Sequence, residues 1–174
     1  MDEDFRSELS NTVRNYRLPR YCELPDMGLF LDQVVRYVNK YLACFGYEIT
    51  ASMVSNYVKQ RIIPGPVRKC YGIDSIACLM YVSFIKNVVQ LEDIRFMFKT
   101  QQQSYELAVA YDYFCEELEN LLQFAYGLKA EPDHVGHKNT IEKELLRSAL
   151  LSLSHRIYLE NYIRLLKIRQ AGEE

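Results

Sequence analysis

Glycine and proline are scarce in this 174-residue chain, seven and five residues respectively, and where they are missing excludes more than their number does. Residues 73–126 and 137–171 contain neither. Nothing there interrupts a helix, and strand-like alternation is absent outside one short stretch described below. The glycines that do occur are scattered, which excludes a phosphate-cradling glycine loop. There is no CxxC pair. The five cysteines, Cys22, Cys44, Cys70, Cys78 and Cys115, are odd in number and widely spaced, so neither a disulfide framework nor a zinc site is expected, and a reducing cytoplasm fits best. Long hydrophobic runs are missing as well. The longest uncharged stretch, Ser75 to Ile85, falls far short of the roughly 20 residues that span a bilayer. The opening MDEDFRSELS is acidic and polar, unlike a signal peptide, so a soluble, cytoplasmic protein with no membrane contact is expected. A net charge of −2 excludes a protein that coats nucleic acid indiscriminately, because such domains are strongly basic overall. Any nucleic-acid contact has to come from a local patch.

One such patch is present. From Ile49 to Ile73 there is no Asp or Glu, whereas Lys59, Arg61, Arg68 and Lys69 are all basic. Thr50 is placed to cap a short helix from Ala51 to about Gln60. On a helical projection Ala51, Val54, Tyr57 and Val58 share one face, and Ser52, Ser55, Asn56, Lys59 and Gln60 share the other. Base edges offer donors and acceptors and phosphates offer negative charge, so small hydrogen-bonding and basic residues on a narrow helix suit a major groove. The same residue types also make an ordinary solvated face, and the helix alone does not separate the two. Pro64-Gly65-Pro66 then reverses the chain, and Val67 to Tyr71 is expected to form a short β wing presenting Arg68 and Lys69. Ser52, Ser55, Asn56, Lys59 and Gln60 are therefore the base-facing candidates, and Tyr57, Arg61, Arg68 and Lys69 the candidates for phosphate or wing contact.

The expected organisation has three parts: a polar arm over residues 1–26, a helix-turn-helix domain over 27–99, and a helical dimerisation or effector region over 100–174. In the second part, Asp26 would cap a helix from Met27 to about Cys44, Gly46 would end it, Asp74 would cap a helix from Ser75 to about Val89, and a short helix would follow from Leu91. In the third, residues 102–126 and 139 to about 170 read as two long helices, with an Asn139 to Glu142 capping box on the second. Both are apolar over much of their circumference, so they need a partner surface beyond each other. Glu116, Glu117 and Glu119 read as a solvated acidic face. Tyr105, Tyr111, Tyr113, Tyr126, Tyr158 and Tyr162 read as packing residues, with a small-molecule effector cavity as the sharper alternative. His134-x-x-His137 lacks the further ligands a metal needs, and Ser152, Ser154 and His155 lie on a helix without a nucleophile elbow. No cofactor, metal or catalytic machinery is expected, and hence no enzyme.

ITASMVSNYVKQRIIP resembles the second helix of the mercury-resistance regulator (MerR) superfamily, whose pattern runs V-S-x-x-T-L-R-Y-Y-E-x-x-G-L-L-P. Thr50, Val54, Tyr57, Ile62, Ile63 and Pro64 fall in register, while Ser55 and Asn56 replace its arginine and first tyrosine. Downstream, RKCYGIDSIACL and LEDI at Leu91 to Ile94 resemble the wing and the helices that follow it. Within that group the chain is similar to a bacterial family known as domain of unknown function 1836, whose members share LPRYxELPD-like, ITxxMVxNYVK-like and IPxPVRKxY-like segments. The likeness covers about Arg17 to Phe98. It implies a mostly α fold, an N-terminal MerR-like winged helix-turn-helix with a short β wing and two long C-terminal helices, and a transcriptional regulator; it carries no catalytic residue or ligand. The expectation is a regulator that binds double-stranded DNA as a homodimer paired through the C-terminal helices. The alternative is a protein-protein interaction module on a helix-turn-helix scaffold that has lost DNA binding.

Overall fold

In the computed structural model, which describes residues 3–136 and 140–172, the chain forms α1 (Glu3–Arg14), α2 (Leu31–Leu42), α3 (Ala51–Lys59), α4 (Ile73–Ile85), α5 (Leu91–Gln101), α6 (Leu107–Ala125) and α7 (Ile141–Gly172), with single 3₁₀ turns at Tyr21–Glu23 and Ala43–Phe45. The axis of the fold is α4. Ten of its residues, including Ile76, Leu79, Met80, Phe84 and Ile85, are buried, because α2 packs on one side of it and α6 and α7 on others. The core is continuous from Phe5 and Leu9 in α1 to Leu150, Leu153 and Ile157 in α7. Part of the surplus apolar surface of the two long helices is covered within the chain, where α6 meets α1, α4 and α7 and α7 meets α1, α4, α5 and α6, while Leu145, Leu159, Ile163 and Leu166 of α7 stay exposed.

Several boundaries differ from the expectation, each for a local reason. Residues 3–14, read as part of a polar arm, are helical, because Phe5, Leu9 and Val13 recur at four-residue steps and bury one stripe among charged neighbours. Asp26 caps nothing. Leu29 is drawn into an antiparallel bridge with Tyr71, its N–H donating to the Tyr71 carbonyl (3.0 Å) and the Tyr71 N–H donating back (2.8 Å). This keeps residues 27–30 extended, and Phe30 becomes the N-cap position of α2. The same bridge moves the start of α4 to Ile73, with Gly72 at its N-cap and Asp74 in the first turn. Gly46 ends the α2 segment in the left-handed region (φ 75°), as its position implied. The first long helix begins at Leu107 rather than Gln102, because α5 runs on to Gln101, whose side chain donates to the Tyr105 carbonyl (2.8 Å) and holds the turn between them. Asn139, the expected cap of α7, and His137 lie outside the described residues.

The largest correction concerns the β wing. Among the described residues there is no strand; the fold is all-helical, and a winged helix-turn-helix is not what it contains. Where the wing was expected, Val67 and Cys70 exchange both backbone hydrogen bonds (2.9 Å each) around Arg68 and Lys69. The hairpin is a single turn. Pro64 and Pro66, which supply no N–H, precede it, and the helix cap at Gly72 follows at once, so no ladder can grow.

Candidate nucleic-acid interface

Helix α3 is nine residues long, too short to hold itself in water, and hydrogen bonds fix both its ends. At the N-terminus Thr50 Oγ1 accepts from the Met53 N–H (3.3 Å). At the C-terminus the Ile62 N–H donates to the Tyr57 carbonyl and the Arg61 N–H to the Val58 carbonyl (both 2.9 Å), the paired bonds of a Schellman ending. Its left-handed position, usually glycine, is Arg61 with φ 55°. The lead-in is clamped too: the Asn39 amide of α2 donates to the Ile49 carbonyl (2.9 Å) and accepts from the Ile49 N–H (2.8 Å). Beyond the helix, Ser75 Oγ donates to the Pro64 carbonyl (3.1 Å), tying the chain reversal to α4. Gly65 lies so close to the helix that a Cβ there would come within 3.2 Å of Val58 Cγ1.

Arg68 (φ 49°) and Lys69 (φ 69°) are also left-handed, as the two central residues of a two-residue hairpin of type I′ must be. Asn-Gly is the sequence such a turn prefers. Arg61, Arg68 and Lys69 are the only non-glycine residues with positive φ among those described, and all three are exposed cations of the acid-free segment. Each such conformation costs of order 1 kcal/mol, so the fold carries a penalty to keep long basic side chains at these points.

The structure brings most of the expected site residues onto one surface. Ser52, Ser55, Asn56, Lys59 and Gln60 are exposed on α3, opposite the buried Val54 and Tyr57. Ser55 Oγ donates to the Ala51 carbonyl (2.9 Å), leaving its lone pairs outward. Tyr57 stands apart. Its side chain is buried at 3% exposure, and desolvation raises its hydroxyl pKa, so it belongs to the core rather than to the surface. Among the described residues Lys59, Arg61, Arg68 and Lys69 take part in no ion pair, whereas Arg17, Arg20, Arg36, Arg147, Arg156 and Arg169 each hold a carboxylate. The charge of the patch is unspent. Met27 and Val67, 85% and 75% exposed, add apolar side chains to the bridged segments beside it.

Sequence reasoning missed the residues that hold this surface in place. Arg20 makes a bidentate pair with Glu119 of α6 (2.8 and 2.7 Å), and the same carboxylate accepts from the Leu18 N–H (2.8 Å). The Tyr21 N–H donates to Asp112 of α6 (2.7 Å), and its hydroxyl donates to Asp74 of α4. The LPRY segment is a staple across two helices. Nor is the acidic trio of α6 a solvated face: Glu116 is exposed, but Glu119 is engaged by Arg20, and Glu117 is fully buried against Arg147. Burial raises the Glu117 pKa, and the Arg147 charge opposes that rise. A run of three glutamates in four residues carries no local sign of such partners. Asn39, likewise, looks like any polar helix residue in sequence.

These features define a protein, all-helical among the described residues, that displays a basic helix-and-turn surface built from an acid-free segment. Residues 19–114, more than half of the chain, match the family described as Domain of unknown function (DUF1836), and the chain belongs to that family. No curated protein and no solved structure matches it. No described helix is long and apolar enough to cross a membrane.

Proposed function

We propose that this protein is a DNA-binding transcriptional regulator, MerR-like in its use of α3, that acts as a homodimer. Ser52, Ser55, Asn56, Lys59 and Gln60 meet base edges in the major groove, and Arg61, Arg68 and Lys69 meet the phosphates on either side. The observation that carries this reading is the set of four unpaired cations around one short capped helix, three of them held in left-handed backbone. Two copies supply two half-sites, because a single small module rarely reaches the affinity of a specific complex. Leu145, Leu159, Ile163 and Leu166, exposed along α7, support pairing through that helix. If Arg61, Arg68 and Lys69 of both copies reach phosphates, log K falls against log salt with a slope of about −5.

The test is binding of a labelled duplex from upstream of the protein's own gene, against a scrambled duplex of equal length, over a range of salt. Submicromolar, salt-steep binding that prefers the native duplex supports the reading, and equal or absent binding at low salt sinks it. A second reading, a protein-interaction module, draws on the exposed Met27, Phe30 and Val67. Lys59→Glu with Lys69→Glu separates the two: it abolishes DNA binding and leaves an apolar protein contact in place.

A further inference from the structure

A cavity of about 360 Å³ lies between the end of α5, α6 and the start of α7. A second, of about 250 Å³, continues from it, and the two share Tyr113, Val135, Gly136 and Lys143. Their combined size is that of a small-molecule site. The walls divide by chemistry. The larger compartment is faced by Tyr105, Val109, Ala110, Tyr113 and Leu146. Three carboxylates also line it: Asp112 accepts from the Tyr21 N–H and Glu142 from Ser104 Oγ (2.7 Å each), and Glu116 is exposed. The smaller compartment is lined by His134, Thr140, Lys143 and Arg147, with Glu144 as its acid.

Arg147 is paired with the fully buried Glu117, also engages the Tyr113 hydroxyl, and lines the smaller compartment. Lys143 sits at the junction of the compartments. Its ammonium lies 4.8 Å from the Tyr113 ring centroid and occupies the space that a Cβ at Gly136 would need. Glu117 is paired with Arg147, and Lys143 and His134 stand in the same lining beside the acid Glu144. An apolar, tyrosine-lined chamber thus opens onto a donor-rich end.

The geometry points to a binding site for a small organic acid: its aromatic or aliphatic body fills the larger compartment, and its carboxylate meets Lys143 and Arg147 in the smaller. Calling the ligand an effector rests on the regulator reading above; the site itself does not.

The chain contains no tryptophan, so the emission of an indole ligand, excited beyond the tyrosine band, is read without protein background. The full chain is titrated, without DNA, with three indoles of one shape: indole-3-acetate, indole-3-acetamide and tryptamine. The acid binds saturably, and the amide and the amine bind at least tenfold more weakly. Lys143→Gln lowers affinity for the acid about tenfold, one ion-pair increment, and leaves the amide unchanged. Ala110→Phe, which fills the larger compartment, removes binding of all three. Thermal unfolding of both variants shows that any loss occurs in folded protein. Equal affinity for acid and amide, preference for tryptamine, no saturable binding of the acid, or binding indifferent to Ala110→Phe would each overturn the proposal. Acid binding without DNA binding removes only the word effector; DNA binding without acid binding removes the site and leaves the regulator.

Discussion

Replacing Arg61 by glycine is expected to move stability and DNA affinity in opposite directions. Arg61 occupies the left-handed position of the Schellman ending of α3, at φ 55°. For a residue with a Cβ that conformation costs roughly 1–2 kcal/mol. Glycine removes the penalty but loses roughly 0.5–1 kcal/mol to the greater freedom of the unfolded chain. The net gain is about 0.5–1 kcal/mol, which for a chain of this size raises the unfolding midpoint by about 1–4 °C. Arg61→Ala keeps the Cβ and the penalty, so its midpoint stays near that of the parent. Both substitutions remove one exposed cation per copy, and each is expected to lower the salt slope of DNA binding by about 2 for a pair of copies. Thermal unfolding and fluorescence anisotropy over a salt series, on the same preparations, give both numbers. A glycine variant less stable than the alanine variant would refute the backbone argument. An unchanged salt slope in both would refute the phosphate contact.

Other substitutions address other parts of the frame. Arg68→Asn with Lys69→Gly installs the sequence a type I′ turn prefers; urea unfolding is expected to show a gain of about 1 kcal/mol, with DNA affinity falling as two cations leave. Thr50→Ala removes the N-cap acceptor of α3 and costs about 1 kcal/mol by the same measurement. Arg20→Ala strands the Glu119 carboxylate, which is only 15% exposed, and costs about 3 kcal/mol; a loss within error of zero would show that the LPRY staple is dispensable. Glu117→Gln tests the buried pair through pH. Burial lifts the folded pKa of Glu117 above its unfolded value, so the native state binds this proton more tightly, and the stabilisation from holding it is present in acid and is lost as pH rises through the folded pKa. Measured by urea unfolding across that range, the stability of Glu117→Gln relative to the parent therefore rises with pH above the ordinary carboxylate range; a difference that is flat with pH would refute the burial argument.

Much of the frame was legible because its signals are local. Thr50 as cap, Gly46 as stop and the uninterrupted apolar α4 each depend on residues within a turn of one another. The mostly α character followed from the same absence of breakers. What escaped depends on partners far away in the chain. The bridge of Leu29 to Tyr71 shifts two helix starts from 42 residues' distance in sequence (71 − 29). α1 has only three buried apolar positions, Phe5, Leu9 and Val13, and reads as polar until α6 and α7 cover them. Glu117 and Glu119 look solvated until Arg147 and Arg20 arrive. In the surface itself the exposed residues of α3 were readable from periodicity, and only Tyr57, which periodicity also placed on the core face, was given a second role that its burial does not support.

The division of labour within α3 bears on how such a protein diversifies. Its cap, its ending, its clamp from Asn39 and its buried Val54 and Tyr57 involve none of the side chains of Ser52, Asn56, Lys59 or Gln60. At those four positions substitutions that keep helix propensity carry little folding cost. Under the DNA-binding reading, new operator preferences can be reached by single steps through folded intermediates, with the scaffold inherited unchanged and only the lettering on its outer face rewritten.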